Sequence, residues 1–98
     1  MVNANLWLQS YETRVKEKTL KALANKRRMG ILKYLKERKQ ATVKEIAGAI
    51  KLSFKSTSRH LAILSATDIL EKEQKSLNVF YRISNNQNHT ADRIISLF

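Results

Sequence analysis

Lys55, Ser58 and Arg59 are the residues of this chain whose types and spacing could do chemistry. They lie within Ser53-Phe54-Lys55-Ser56-Thr57-Ser58-Arg59-His60-Leu61-Ala62-Ile63-Leu64. At about 100° per residue, Thr57, Leu61 and Leu64 fall on one side of a helix. Lys55, Ser58, Arg59 and Ala62 fall on the other. The outward side therefore offers two cations, a hydroxyl and one small residue, with no acid among them. Such a face forms charge-assisted hydrogen bonds to anionic oxygens, and its guanidinium can do so through two bonds at once. Catalysis is a poor fit. There is no cysteine nucleophile and no glycine-rich phosphate loop, and the only two histidines, His60 and His89, are far apart in sequence. The acids are scattered, so the chain is expected not to be an enzyme and to need no cofactor.

The flanking residues supply what would hold that face in place. Ser53 can cap the helix, which is expected over residues 53–66, by accepting a hydrogen bond from a backbone N–H one turn in. Upstream, Thr42-Val43-Lys44-Glu45 matches a capping box, and Val43, Ile46, Ala47 and Ile50 follow at helical spacing. Gly48 sits inside this second helix, where it costs roughly 1 kcal/mol against alanine; close packing on the next helix is the expected return. Lys51-Leu52 makes the turn, with Leu52 plugging the core between the pair. Two short helices joined tightly, the second basic and hydroxyl-rich, is the pattern of a DNA-reading helix-turn-helix.

Toward the N-terminus, Leu8, Tyr11 and Val15 are spaced three and four apart, which predicts an amphipathic helix over about residues 5–17. A second helical pattern runs from Leu20 through Lys36, with Ile31, Leu32 and Leu35 inward; its Lys26-Arg27-Arg28 run is either solvated or in contact with phosphate. Downstream, Asp68 ends the basic helix in a conformation that Asp tolerates better than most residues. Two strands follow, roughly 69–74 and 78–84, joined by Lys75-Ser76-Leu77-Asn78. A hairpin in that place is a wing, and Lys72, Lys75 and Arg82 would let it grip a flanking phosphate or minor groove. From about His89 the chain returns to helix, ending in Ile94, Ile95, Leu97 and Phe98. So much apolar surface at a terminus calls for cover, and with Leu8, Tyr11 and Val15 it suggests a homodimer seam built from Leu8, Tyr11, Val15, Ile94, Ile95 and Phe98.

Composition agrees with this reading. The chain has 98 residues, 43% of them hydrophobic, which is enough for one small domain with a packed core. Nineteen Lys and Arg against eight Asp and Glu leave a net charge of +11, a field that draws polyanions. No cysteine is present, which excludes disulfides and thiolate metal sites. The absence of proline, with only Gly30 and Gly48, favours a mainly helical chain. No apolar run approaches the length of a membrane span, and residues 1–5 lack a secretory start. The expected setting is soluble and cytoplasmic.

Three stretches resemble the ArsR-like winged helix-turn-helix repressors: Leu23-Ala-Asn-Lys-Arg-Arg-Met-Gly-Ile-Leu, then Ser53 through Leu64, then Val79-Phe-Tyr-Arg-Ile. The likeness covers roughly residues 20–84, and Ser58-Arg-His-Leu is its most specific piece. It implies a fold that is mainly α with a small β-hairpin wing, in the order α-α-α-α-β-β-α. It further implies a homodimer that binds operator DNA and represses transcription, with Phe54, Lys55, Ser58 and Arg59 facing the groove. Phe54 enters only through the resemblance. Many members sense metals through a cysteine pair on the helix before the recognition helix, and here that segment, Glu45-Ile-Ala-Gly-Ala-Ile, has no thiol and one carboxylate. A second family site needs Asp, His and Glu on the last helix, where only His89 and Asp92 stand. No metal is expected, and Asp68 and Ser76 replace glycines of the pattern.

The full set expected on double-stranded DNA is Thr42, Lys44, Ser53, Phe54, Lys55, Ser56, Ser58, Arg59, Lys72, Lys75 and Arg82. Arg59 suits either guanine O6 and N7 or a phosphate. His60 reads as an ordinary boundary histidine. The rival hypothesis is a winged helix that docks protein or RNA without operator specificity. Membrane binding is not expected, because no helix joins a broad apolar face to a strongly basic one. Any effector is unknown.

Overall fold

The computed structural model describes residues 10–85 and 89–98. Helix α1 spans Tyr11–Leu23, α2 Lys26–Arg38, α3 Val43–Ile50, α4 Phe54–Ala66 and α5 His89–Ile95. Strands β1 (Ala41–Thr42), β2 (Leu70–Lys75) and β3 (Asn78–Ile83) form an antiparallel sheet in the order β1-β3-β2. Among the described residues, no helix is long and apolar enough to cross a membrane.

Local chemistry sets the helix starts. Ser10 Oγ accepts from the Thr13 N–H, and Asn25 Oδ1 accepts from both Arg27 and Arg28 N–H groups at 3.0 and 3.1 Å. Asn25 thereby explains why the first break falls at residues 24–25, and not at 17–20 as the apolar spacing suggested. The expected residues 5–9 of the first helix, Leu8 among them, lie outside the described residues. Thr42 and Glu45 form the anticipated capping box, and Ser53 Oγ accepts from Ser56 N–H at 3.1 Å. Lys51, Asp68 and Ser76 all take left-handed backbone, with φ of 57°, 59° and 59°. The tight turn between α3 and α4, the end of α4 and the wing tip are thus made without glycine.

One cluster of buried side chains draws on every helix and on the sheet. It includes Leu23, Ile31, Leu32, Leu35, Ile46, Leu61, Leu64, Ile69, Leu70 and Ile95. The short strand β1 was not anticipated. Two residues carry too little pattern to be seen, yet Ala41 and Thr42 pair with Tyr81 and Phe80 and join the helices to the wing. Lys36 Nζ donates to the carbonyls of Ile95, Ser96 and Phe98 and ties the end of α5 to α2.

Two packing expectations are corrected. Leu52 is half-buried and stands outside the core cluster. Gly48 does not serve close approach either, since a Cβ built there meets nothing within 4 Å. Its cost is therefore uncompensated by packing, and Gly48→Ala should stabilise the fold by about 1 kcal/mol. For a domain of this size that is a rise of roughly 4–8 °C in the melting midpoint. A fall in a thermal melt followed by circular dichroism would show that the site has a hidden constraint.

Candidate nucleic-acid interface

Helix α4 is seated by its buried side. Thr57, Leu61 and Leu64 are fully buried, while Lys55, Arg59 and Ala62 are exposed and Ser58 is half-buried, as the helical spacing predicts. The helix continues directly into the wing. Ile69 N–H donates to Leu64 O at 3.0 Å, and Ser84 N–H donates to Ile69 O at 2.9 Å. With Ile69 buried in the core, the angle between α4 and the hairpin is set by packing.

The pairing register sorts the wing residues between two faces. Lys72 pairs with Tyr81 and Gln74 with Val79, whereas Glu71 pairs with Arg82 and Glu73 with Phe80. Residues directly opposite on antiparallel strands share a face, and alternate residues take opposite faces. Lys72, Gln74, Val79 and Tyr81 line a cleft with Val43 and Lys44 of α3 and with Phe54 of α4. The cleft thus lies between the starts of both helices of the helix-turn-helix and the wing. Both helix N-termini add partial positive charge to the side chains there.

Two of the residues expected on DNA are placed otherwise by this geometry, and a third, Thr42, lines the cleft with its hydroxyl already engaged. Arg82 lies on the far face, where Nε donates to Glu71 Oε1 at 2.8 Å and an NH1 donates to Glu73 Oε2 at 2.6 Å. The hydrogen bond from Arg82, with the charge of Lys75 beside it, holds the Glu73 carboxyl below its ordinary range. Arg82 lines a separate cleft between α2 and α5, with Lys36, Lys39 and Asp92. Lys75 is also on that face, donating to Gln40 Oε1 at 3.1 Å with its ammonium 5.7 Å from the centre of the Phe80 ring. The Thr42 hydroxyl accepts from Glu45 N–H and donates to Glu45 Oε1, so its one proton is used inside the capping box. The Thr42 backbone N–H, which donates to Glu45 Oε1 at 2.9 Å, and then the Thr42 hydroxyl hold the Glu45 carboxyl below its ordinary range. Strand alternation alone could not separate Arg82 from Lys72, since they lie on different strands; the pairing register does so and assigns the acids that hold Arg82.

Lys44, Ser53, Phe54, Lys55, Ser56, Ser58, Arg59 and Lys72 remain at or beside the start of α4. Ser53 accepts from Ser56 N–H but keeps its own proton to donate. Gln74, Leu77 and Val79 also border the cleft and were missed; Gln74 alternates with Lys72 along β2, Val79 is its partner across the hairpin, and Leu77 stands at the turn. Arg28 is lost to the phosphate role suggested for its cluster. Its guanidinium donates to the carbonyls of Lys21 and Ala22 at the end of α1 and to His60 Nδ1 at 3.2 Å. The apolar ends meet in one chain, since α1 packs on α5. Tyr11 and Leu97 are exposed, Val15, Ile94 and Phe98 half-buried, and Ile95 buried. Ile95 therefore belongs to its own core and has no surface to offer a second copy. No group of three or more metal-binding side chains occurs among the described residues.

A helix-turn-helix with a hairpin docked beside its second helix is a winged helix-turn-helix, and comparison with known proteins agrees. Residues 25–72 match the family described as bacterial regulatory protein, arsR family. Over that core the chain is similar to the ArsR family, whose members are transcriptional regulators and not enzymes. Among solved structures it is similar to HlyU from Vibrio cholerae, at 28% identity and TM-score 0.77 over 91% of this chain and 92% of that one. It is also similar to the transcriptional repressor PagR of Bacillus anthracis, at 26% identity and TM-score 0.75 over 88% and 94%. A third is the homodimeric winged helix-turn-helix DNA-binding domain Mb0332 of Mycobacterium bovis, at 25% identity and TM-score 0.76 over 99% and 82%. Comparison with curated protein sequences gave no match.

His60 gives this site a pH dependence. Burial, and then the charges of Arg28, Arg27 and Arg59, hold its imidazole below the ordinary value, which is about 6.5. The folded chain therefore binds fewer protons than the unfolded chain over the window below about 6.5, so stability is complete above that pH and is lost as the pH falls through it. Melting midpoints should drop on acidification across this window, and His60→Gln should flatten that part of the profile. An unchanged slope in the variant would assign the dependence to other groups.

Proposed function

We propose that this protein is a sequence-specific repressor that binds a pseudo-palindromic operator as a homodimer in the cytoplasm. The observation that carries this reading is the acid-free outward face of α4, with Lys55, Ser58 and Arg59, on a helix whose first residue, Phe54, lines a cleft with Lys44 and Lys72. In the proposed complex α4 lies in the major groove, where Arg59 pairs with a guanine edge. Lys44 and Lys72 neutralise phosphates on either side of it. Backbone contacts of this kind fix register, while base contacts confer specificity. Ser53, Ser56 and Ser58 add hydroxyl donors to the same strand.

A second copy supplies the other half-site. Exposed Tyr11 on α1 and Leu97 just past α5, with half-buried Val15, Ile94 and Phe98, support a seam in which these adjacent helices meet their symmetry mates. The homodimeric state of the Mycobacterium bovis domain supports the same arrangement, and the description of PagR as a repressor supports the sign of regulation.

Selection of bound duplexes from a random pool should enrich a sequence with two related half-sites. Binding to it should weaken with salt at a log–log slope near −0.9 per neutralised phosphate. Arg59→Ala should cost about 1–3 kcal/mol on the enriched duplex and relax the preference at one base position. Lys72→Ala should weaken all sequences alike and reduce the salt slope by about 1. Arg82→Ala should leave both unchanged, since its charge is already paired. Equal losses on enriched and random duplex for Arg59→Ala would defeat the assignment of that residue to a base.

A further inference from the structure

The cleft between α4 and the wing has a floor that phosphate binding does not require. Phe54, at the first turn of α4, is 62% exposed and Leu77, at the wing tip, is 94% exposed. Val79 lies between them on the cleft-facing side of β3, and Val43 and Tyr81 lead from there into the core. The space is roughly 660 Å³. Lys44 and Lys72 stand on its rim, and no carboxylate lines it among the described residues. An occupant that matches this surface is anionic on its outside and carries small apolar groups within.

Duplex DNA has one such group on its base edges, the C5 methyl of thymine in the major groove. We infer that Phe54 is a specificity-determining residue that selects thymine through this methyl. The inference rests on the DNA reading above and names the base that part of the interface accepts. A phenyl ring neither donates nor accepts a strong hydrogen bond. It therefore gains from covering a methyl and loses by covering the amino and carbonyl edges of the other bases, whose polar groups would be stripped of water without a partner. Its position is well determined. The Ser53 cap fixes the start of α4, burial of Thr57 one turn later fixes the rotation of the helix, and an aromatic side chain has only two torsions to settle.

Replacing thymine by deoxyuridine removes the methyl and leaves every hydrogen-bonding group in place. The probe is the most enriched duplex from the random pool, with each thymine replaced in turn and binding read by fluorescence anisotropy. At one or two thymines in each half-site, the unmodified protein should bind the deoxyuridine duplex about fourfold more weakly, the effect of losing one buried methyl. Phe54→Ala should bind the two duplexes equally, while Lys72→Ala should keep the fourfold discrimination at lower overall affinity. Phe54 is exposed and outside the core, so its variant should melt as the parent does; Phe54→Leu, which keeps an apolar side chain, should retain part of the discrimination. Equal binding of thymine and deoxyuridine duplexes by the unmodified protein, or discrimination that survives Phe54→Ala, overturns the inference and leaves the DNA reading standing. A selection that enriches no duplex overturns both.

Discussion

Burial of one side of α4 is the constraint on which the rest of the molecule depends. Thr57, Leu61 and Leu64 have no exposed surface, and burying a leucine contributes about 1.5–3 kcal/mol. A surface ion pair contributes roughly 0–1 kcal/mol. The apolar stripe therefore decides how the helix rolls, and the charged residues accept whatever orientation is left. Because the helical repeat is 3.6 residues, that orientation turns Lys55 and Arg59 to solvent together. The face proposed to meet DNA is the complement of the packed one.

The wing follows a similar division of labour, with a period of two in place of 3.6. On one face Arg82 bridges Glu71 and Glu73, all three partly exposed. Pairs of this kind add little stability, but two carboxylates on one guanidinium hold the neighbouring rungs of the hairpin in register. The other face carries Lys72 and an apolar surface toward α4. One face is internally neutralised and the other keeps its positive charge, so the field of the hairpin points into the cleft.

Two cations that look like surface decoration serve as fasteners. Arg28 joins the carbonyl end of α1 to His60 on α4, and Lys36 joins the carbonyl end of α5 to α2. Both place a cation where a helix ends with unsatisfied carbonyls, which is electrostatically favourable. The apolar surfaces of α1 and α5 are thereby held at a set position relative to the face of α4. In the proposed two-fold reader of DNA this matters, since the spacing of two half-sites is a property of the rigid connection between seam and groove-facing helix.

The sequence by itself determined the periodic features: the buried stripe of α4, the capping box at Thr42 and Glu45, the Ser53 cap, the hairpin and the closing helix. Each depends on residues a few positions apart, and short-range spacing is what a sequence displays. Family likeness added Phe54, whose exposure the helical pattern alone did not flag. Only the tertiary structure decided which cations are available. Arg82 and Arg28 are chemically the same as Arg59 in the sequence, but their acceptors lie on other strands and helices. The Thr42 proton is used by its own capping box, and Ile95, apolar like its neighbour Ile94, faces inward. Strand β1 was too short to announce itself, and Gly48 has open space where close packing was expected. A charge or an apolar side chain acquires its role from what faces it across the fold, and that is settled by long-range packing.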